Sequence, residues 1–360
     1  MKLHHLQEYS MEYVRKTSSL VTRLVKVSTN HCLKTNPLLL LGAFGLVKVG
    51  WLRSDPSHKY AIKSMKKHEI IQSKHVDHIE NEKNILNKMD HPFGVSIKKI
   101  LKIFTSLTPL SFLQLQYDGF FQDDRYIYFA SELLGGGDLF TYHRTVGNFN
   151  SGHTALYGAQ IASVFEYLHS RDICYRDLKP ENIMIGDDGY LKLIDYGFAK
   201  HVTKRTYTIC GTPEYIAPEI LLNKGHGKPV DWWTFGILIY EMHAGHAPFV
   251  DDDPMNIYKK IINTKPRYPE GFDSKLKSLV KHLLRRDLSK RYGNLVGGVS
   301  DIKDHRFFQA ISYPELLAKR ITPPFIPTLP PISTTESNFL RERNSQAQPI
   351  ASSKDPFLQW

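Results

Sequence analysis

The sequence predicts an α+β chain, with a small antiparallel sheet and one main helix ahead of a larger, mostly helical part. Strand-like runs at Leu46 to Trp51, Lys59 to Ser64 and Tyr126 to Glu132 flank a single helical stretch, Ile79 to Met89. Further along, the apolar pattern lengthens into helices such as Thr154 to His169 and Val230 to Ala244. In order, these runs divide the chain into a polar N-terminal tail over residues 1–36, a domain over residues 37–308 and a C-terminal tail over residues 309–360. Within the domain a small lobe ends near Leu134 and a large lobe runs over residues 135–308. A chain of 360 residues with 41% hydrophobic content can bury a full core.

The densest chemistry lies in the string YRDLKPEN, Tyr175 to Asn182, followed by Asp195, Tyr196 and Gly197. Asp177 can accept a hydrogen bond from an attacking hydroxyl and orient it. Lys179, two residues on, can reach a phosphoryl group in transfer. Asn182 and Asp195 offer hard oxygen ligands; magnesium prefers these and is usually held by one or two carboxylates plus the substrate's own phosphates. Phosphoryl transfer asks a protein mainly for positioning and charge stabilisation, and this set covers both. Taken singly, Asp177 reads as a turn cap, Lys179 as a solvated charge and Asp195 as the start of a hairpin. The ordered set favours the chemistry.

Other motifs stand around this string in a fixed order. Lys63 closes Tyr-Ala-Ile-Lys on a strand-like run, Glu82 lies in the helical stretch, Ala217-Pro218-Glu219 follows the string, and Asp231 precedes Trp232 and Trp233. Together they resemble the eukaryotic protein kinases. The resemblance implies a two-lobed protein kinase fold, ATP and Mg2+ as cofactors, and protein hydroxyls as acceptors. It implies that Lys63 and Glu82 pair to clamp the nucleotide phosphates, that Asp177 and Lys179 are catalytic, and that Asn182 and Asp195 hold metal. It further implies a nucleotide site drawn from Leu39, Gly42, Ala43, Phe44, Gly45, Val47, Ala61, Glu132, Asp138 and Met184, with a hinge at Glu132 to Gly137 meeting the adenine edge. The segment TYTICGTPEYIAPE, Thr206 to Glu219, narrows the resemblance to the basophilic AGC branch of the cAMP-dependent catalytic subunits, and the similarity covers most of Ala61 to Phe93 and Tyr117 to Phe308. Lys179-Pro180-Glu181 and Thr212 favour Ser and Thr over Tyr as acceptors.

In that branch, acids bind arginines preceding the target residue; the matching positions are Asp138, Glu181, Glu214 and Glu241. A guanidinium presents a planar fork that carboxylates accept two bonds at a time, so several acids together select arginine. The bland reading pairs Glu214 or Glu241 with an internal arginine. Ile209, Pro213 and Ile216 would line the pocket for the residue after the target. Thr208 is the expected activation phosphosite, with Arg176, Lys200 and His78 as its phosphate ligands and Thr206 as the competing acceptor.

Several features depart from the family pattern. Leu40 takes the place of the first glycine in the phosphate-cradling loop, Leu40 to Gly45, and is expected to stiffen or distort it and weaken nucleotide binding. About residues 94–116 form an atypical insertion, where Ile97, Ile100, Leu101, Phe104 and Leu107 recur at helical spacing among lysines. It reads as a basic amphipathic helix for a membrane or partner, as a surface insertion, or as retained intron sequence. The tail carries TPPFIPTLPP, expected to be an extended strap, and ends Phe357-Leu358-Gln359-Trp360, similar to an aromatic motif that docks on the small lobe.

Partners and setting follow in the same terms. The net charge of +11 is spread over the sequence with no nucleic-acid motif, so a solvated surface rather than nucleic acid binding is expected. The strongest apolar run, Pro37 to Val47, is too short to span a bilayer, so no transmembrane segment is expected. Cys32, Cys174 and Cys210 show no paired or metal-type spacing, which points to a reducing cytosolic or nuclear setting. The resemblance implies protein substrates with basic motifs and a cAMP-binding regulatory subunit, although Tyr207 stands where Trp is usual. The rival expectation is a catalytically impaired scaffold, motivated by Leu40 and the insertion.

Overall fold

Burial alternates from Lys59 to Lys63, placing Tyr60 and Ile62 on one face of a strand and Ala61 and Lys63 on the other. The computed structural model describes residues 23–26, 32–42, 45–52, 57, 59–95, 119–208, 211–328, 350 and 355–358. They fall into two units, one from residues up to Met89, Val95–Leu134 and Leu329–Trp360, the other from Asp90–Gly94 and Gly135–Thr328.

The first unit is built on a six-stranded antiparallel sheet. Its strands are β1 (Arg23–Lys26), β2 (Cys32–Gly42), β3 (Gly45–Leu52), β4 (Lys59–Lys66), β5 (Phe120–Gln122) and β6 (Tyr126–Glu132), in the order β1-β2-β3-β4-β6-β5. Tyr60 and Ile62 of β4 pack with Tyr128 and Ala130 of β6, with Phe121 and Tyr126 against them. Helices α1 (Lys67–Gln72) and α2 (Val76–Lys88) follow β4, and α2 buries Ile79, Ile85 and Leu86. It begins three residues before the expected Ile79, and no side-chain cap at His75 marks that start. Near the chain's end Phe357 is fully buried, and its carbonyl accepts from Gln122 Nε2 at 2.6 Å.

Strands β1 and β2 occupy part of the stretch read as a polar tail. Polar composition hid them, because backbone pairing from Arg23↔Thr35 to Lys26↔Cys32 specifies a hairpin without an apolar run. The β2–β3 ladder slips between Asn36 and Leu40, and Pro37, which has no N–H to give, lies inside the slip. Past it Leu40↔Val47, Leu41↔Leu46 and Gly42↔Gly45 pair in register. The irregularity therefore lies upstream of the expected site at Leu40. Residues 96–116 of the insertion, Ala43, Phe44, Ile209, Cys210 and Trp360 lie outside the described residues.

The second unit is mainly helical. Its helices are α3 (Leu139–Val146), α4 (Ser151–His169), α5 (Pro218–Leu221), α6 (Pro229–Ala244), α7 (Pro254–Asn263), α8 (Ser274–Leu283), α9 (Ser300–Lys303) and α10 (Tyr313–Leu317), of which α5, α9 and α10 are single turns. Short strands β7 (Ile173–Cys174) and β10 (Lys200–His201) pair, as do β8 (Ile183–Ile185) and β9 (Leu191–Leu193). Helix α4 starts at Ser151 because the Asn150 side chain accepts from His153 N at 2.8 Å, three residues ahead of the expected Thr154. Helix α6 is buried over most of its surface, as a helix at the centre of a core should be, with Glu241 and His243 half-buried near its end, and stops at Gly245 in the left-handed conformation. Gly236 lets α6 approach α8; a Cβ there would lie 2.9 Å from Leu283 and Leu284 side-chain atoms. Residues after α10 run without regular structure to Thr328, with Tyr190 Oη donating to Ile321 O at 2.5 Å and Phe325 stacked on Tyr142 at 4.3 Å. Among the described residues no helix is long and apolar enough to cross a membrane.

Candidate active site

In the first unit, Lys63 sits on β4 between Val47 of β3 and Phe129 of β6. Its Nζ meets Glu82 Oε1 at 2.9 Å, with the two side chains 15% and 3% exposed. Glu82 belongs to the buried face of α2, and His78 lies one turn before it, half-buried. Ala61, two residues before Lys63, shares its face, and Glu132 ends β6. Leu39 falls within the slipped part of β2, while Gly42 and Gly45 pair at the end of the β2–β3 ladder.

The second unit holds the YRDLKPEN loop between β7 and β8, and one buried carboxylate fixes its start. Asp231, in the first turn of α6, accepts Tyr175 N at 2.9 Å and Arg176 N at 2.8 Å, and its Oδ2 lies 2.7 Å from His169 Nε2. Arg176 has φ +68 and Asp195 φ +53, a conformation side-chain-bearing residues rarely adopt. Strain of this kind persists only where neighbours over-determine it. For Arg176 these are Asp231 and the Phe198 carbonyl, which accepts from its Nε at 2.8 Å.

Asp177 follows, 5% exposed. Asn182 Nδ2 donates to its Oδ2 at 2.7 Å and to its main-chain oxygen at 2.8 Å, and Lys179 Nζ lies 3.2 Å from Oδ2. Burial pushes the Asp177 carboxyl up from its ordinary value, against the opposing pull of Lys179 and Asn182. Asp195 Oδ1 accepts from Gly197 N at 3.2 Å. The Asn182 amide nitrogen is thus committed to Asp177, which turns its oxygen to the other side. That oxygen and the Asp195 carboxylate are hard donors of the kind that could hold Mg2+. Met184, on β8, is buried and bridges to Asp138 through the backbone.

The predicted substrate acids divide. Glu241 Oε2 accepts from the buried Tyr215 hydroxyl at 2.6 Å; burial raises the Glu241 carboxyl, and the charges of Glu181 and Glu214 raise it further. Those three acids therefore share one electrostatic neighbourhood. Asp138 instead caps α3, accepting from Thr141 N at 2.7 Å and Thr141 Oγ1 at 2.9 Å. Among the described residues no arginine forms an ion pair with Glu214 or Glu241, although the charge of Arg144 acts on Glu241 against that of the acids; Arg291 pairs with Glu219. Pro213 opens a short turn through Tyr215, and Ile216 beside it is buried.

In the activation segment, Thr208 is exposed and Thr206 is buried. Thr206 exchanges both backbone hydrogen bonds with His226, at 2.9 and 2.8 Å, and its hydroxyl lies 3.4 Å from Lys200 Nζ. Tyr215 and Arg291 are structural partners of the site that the motifs alone did not identify; Asp231 stood in a motif, ahead of Trp232 and Trp233, and the structure adds its hydrogen bonds to the loop. Asp231 had one local signal, a carboxylate in the first turn of a mostly apolar helix, which burial requires to be partnered.

The family model of the protein kinase domain matches residues 38–308. The chain is 40% identical to the cAMP-dependent protein kinase catalytic subunit PRKX of Homo sapiens over 83% of its own length and 77% of that protein's. It is 43% identical to the cAMP-dependent protein kinase catalytic subunit 3 of Drosophila melanogaster over 79% of its length, spanning 46% of that relative. It is 38% identical to the cAMP-dependent protein kinase type 3 of Saccharomyces cerevisiae over 88% of its length and 74% of that protein. With the motifs in order, the fold around them and these relatives, the chain belongs to the protein kinase family, as a serine/threonine kinase of the cAMP-dependent catalytic subunit type.

Proposed function

We propose that the chain transfers the terminal phosphoryl group of ATP to Ser or Thr hydroxyls that follow arginines, under cAMP-dependent control. The observation that carries this reading is the Asp177 carboxylate, buried and held by Asn182 and Lys179 in a loop braced from Asp231. Asp177 accepts the hydrogen bond of the acceptor hydroxyl and orients its oxygen; a carboxyl raised by burial is the better proton acceptor as the new bond forms. Lys179 offers its ammonium to the phosphoryl group in transfer, and Lys63, fixed by Glu82, offers its own to the nucleotide phosphates. Asn182 Oδ1 and Asp195 would hold Mg2+, which neutralises charge on the phosphates when bound.

Arginine preference is supported by Glu181, Glu214 and Glu241, whose mutual repulsion a guanidinium would relieve. Thr208 as the regulatory phosphosite is supported by its exposure, set against the buried and doubly bonded Thr206. A cAMP-binding regulatory partner is supported by what the relatives are named for; Tyr207, 61% exposed, stands against it where Trp is usual.

The test is transfer of labelled phosphate to an Arg-Arg-x-Ser peptide, with Asp177→Ala as control and a Lys-free, Arg-free peptide beside it. Transfer lost in the control and weak on the neutral peptide supports the proposal. Equal, background-level signal from wild type and Asp177→Ala would instead leave the scaffold reading that Leu40 motivates.

A further inference from the structure

The basic charge of the second unit is concentrated rather than spread. Residues 265–290 carry eight Lys and Arg against three Asp and Glu, a net of +5 where the whole chain has +11. Helix α8 runs through this stretch and buries Leu276, Leu279, Val280 and Leu283. Lys277, Lys281 and Arg285 recur every four residues on the side away from that buried stripe, forming one row about 12 Å long. Arg285 follows the last helical hydrogen bond, from Leu284 N to Val280 O at 2.8 Å. Lys281 and Arg285 are exposed; Lys277 is half-buried, its ammonium 4.9 Å from the centre of the Tyr268 ring. That contact, and Arg286 Nε donating to the Ile261 carbonyl at 2.7 Å, lay residues 261–268 alongside the helix. Lys265 and Arg267, both exposed, extend the basic face from that segment.

These cations are not neutralised. Among the described residues no carboxylate pairs with Lys265, Arg267, Lys277, Lys281 or Arg285. Of the three acids, Asp273 caps α8, accepting from Leu276 N at 2.8 Å and Ser151 Oγ at 3.0 Å, and Asp287 accepts from Ser289 Oγ at 2.7 Å and meets Lys290 at 3.5 Å. Only Glu270 remains to offset five cations. The face also lacks apolar anchors, since no large apolar side chain is exposed over residues 264–290. A stable protein interface centres on such anchors, and a single-stranded nucleic acid needs exposed rings on which its bases stack. A layer of anionic lipid headgroups asks for neither; it attracts each nearby Lys or Arg by charge.

We propose that the α8 face binds the surface of an anionic lipid bilayer, with Lys277, Lys281 and Arg285 at its centre and Lys265 and Arg267 beside them. Binding of this kind is peripheral and salt-sensitive, because the charges attract within the range that ions screen. It needs no membrane-spanning helix and no nucleotide, so it stands apart from the proposed phosphoryl transfer.

The inference is tested by sedimenting the full chain with vesicles of phosphatidylcholine alone or with about 30% phosphatidylserine, in about 0.1 M salt. The chain is expected to pellet with the phosphatidylserine vesicles only, and to be released at about 0.5 M salt. Lys281→Gln should lose about fivefold in partitioning, and the triple variant Lys277→Gln, Lys281→Gln, Arg285→Gln about a hundredfold. A control triple, Lys74→Gln, Lys204→Gln, Lys224→Gln, removes the same charge from exposed positions elsewhere and should bind as wild type. Melting temperatures taken alongside establish that both triples are folded; if the α8 triple is not, the loss in Lys281→Gln carries the test. No sedimentation of wild type, equal loss in the two triples, or wild-type binding by Lys281→Gln and the α8 triple would overturn the proposal. So would tighter capture of the chain by polyglutamate or by single-stranded RNA than by the vesicles, which would give the face to an acidic protein or to a nucleic acid.

Discussion

Arg291 holds Glu219 in a two-pronged ion pair inside the second unit, with Nη1 donating to Oε1 at 2.6 Å and Nη2 to Oε2 at 2.9 Å. The arginine is wholly buried, and its remaining donors reach the carbonyls of Arg285 at 2.8 Å and Pro229 at 3.0 Å. Three segments, α5, the start of α6 and the loop after α8, therefore meet at one guanidinium. Breaking a buried pair leaves an uncompensated charge and costs about 3–5 kcal/mol. Arg291→Met should lower stability by about that amount in urea denaturation. Arg291→Lys should not restore it, since an ammonium cannot serve two carboxylate oxygens and two carbonyls at once. A Lys variant as stable as wild type would refute this account.

The contrast with Lys63 and Glu82 shows what the sequence can and cannot disclose. That pair was legible through the family resemblance, which matched Lys63 in Tyr-Ala-Ile-Lys and Glu82 in the helical stretch after it, and the structure joins them at 2.9 Å. Glu219 was legible only as part of its own motif, because Arg291, 72 residues away, carries no local pattern. Long helices were legible through periodicity, and α6 runs within one residue of the expected bounds. Strands β1 and β2 were not, because an edge hairpin paired by its backbone needs no apolar signature. Among the substrate acids, sequence treated Asp138 like the others, but its position at a helix start gives its carboxylate a cap to make.

Asp231 is a positioning residue for the catalytic loop. Each of its oxygens accepts a backbone N–H, from Tyr175 or Arg176, immediately before Asp177. Asp231→Asn keeps the size but has one acceptor oxygen, so one amide loses its partner and the strained Arg176 backbone loses part of its restraint. Misplacement of about 1 Å in a reacting group can lower turnover roughly a hundredfold. The expected outcome is a fall of that order in kcat with KM for ATP little changed, because Lys63 and Glu82 are untouched. An unchanged kcat would show that the loop does not depend on this brace.

Acid sensitivity should follow from buried rings in the second unit. His153 stacks on Phe149 at 3.9 Å and against Tyr157 at 4.6 Å; burial, with a smaller contribution from His143, lowers its pKa from 6.5 to about 4. His91, between Phe93 and Tyr167, is lowered to about 4 by burial and then by Lys192 and Arg171, against Asp90. Because the folded values lie below the unfolded one, their stabilising contribution is complete above about pH 6.5 and is lost progressively as pH falls towards 4. For His153 the loss is on the order of 3 kcal/mol. The melting temperature of His153→Phe should therefore vary less than wild type between pH 7 and 4.5. Parallel profiles for the two proteins would assign the acid sensitivity elsewhere.

The C-terminal segment is fastened to the first unit by a buried pair of its own. Lys67, the first residue of α1, donates to Asp355 Oδ2 at 2.5 Å, with side chains only 2% and 5% exposed. The same ammonium stands 5.9 Å from the centre of the Phe357 ring, which is itself fully buried. Asp355 also accepts the Phe357 amide at 3.0 Å, so one carboxylate both caps the turn and anchors it. Either single variant, Lys67→Met or Asp355→Leu, leaves a buried charge alone and should cost about 3–5 kcal/mol. The double variant removes both charges and replaces them with apolar side chains of similar size. Buried pairs exchanged in this way are often no less stable, so the double variant should recover most of the loss, measured as a double-mutant cycle in urea. Simple addition of the two single losses would mean that the residues act independently and that the segment is held by Phe357 alone.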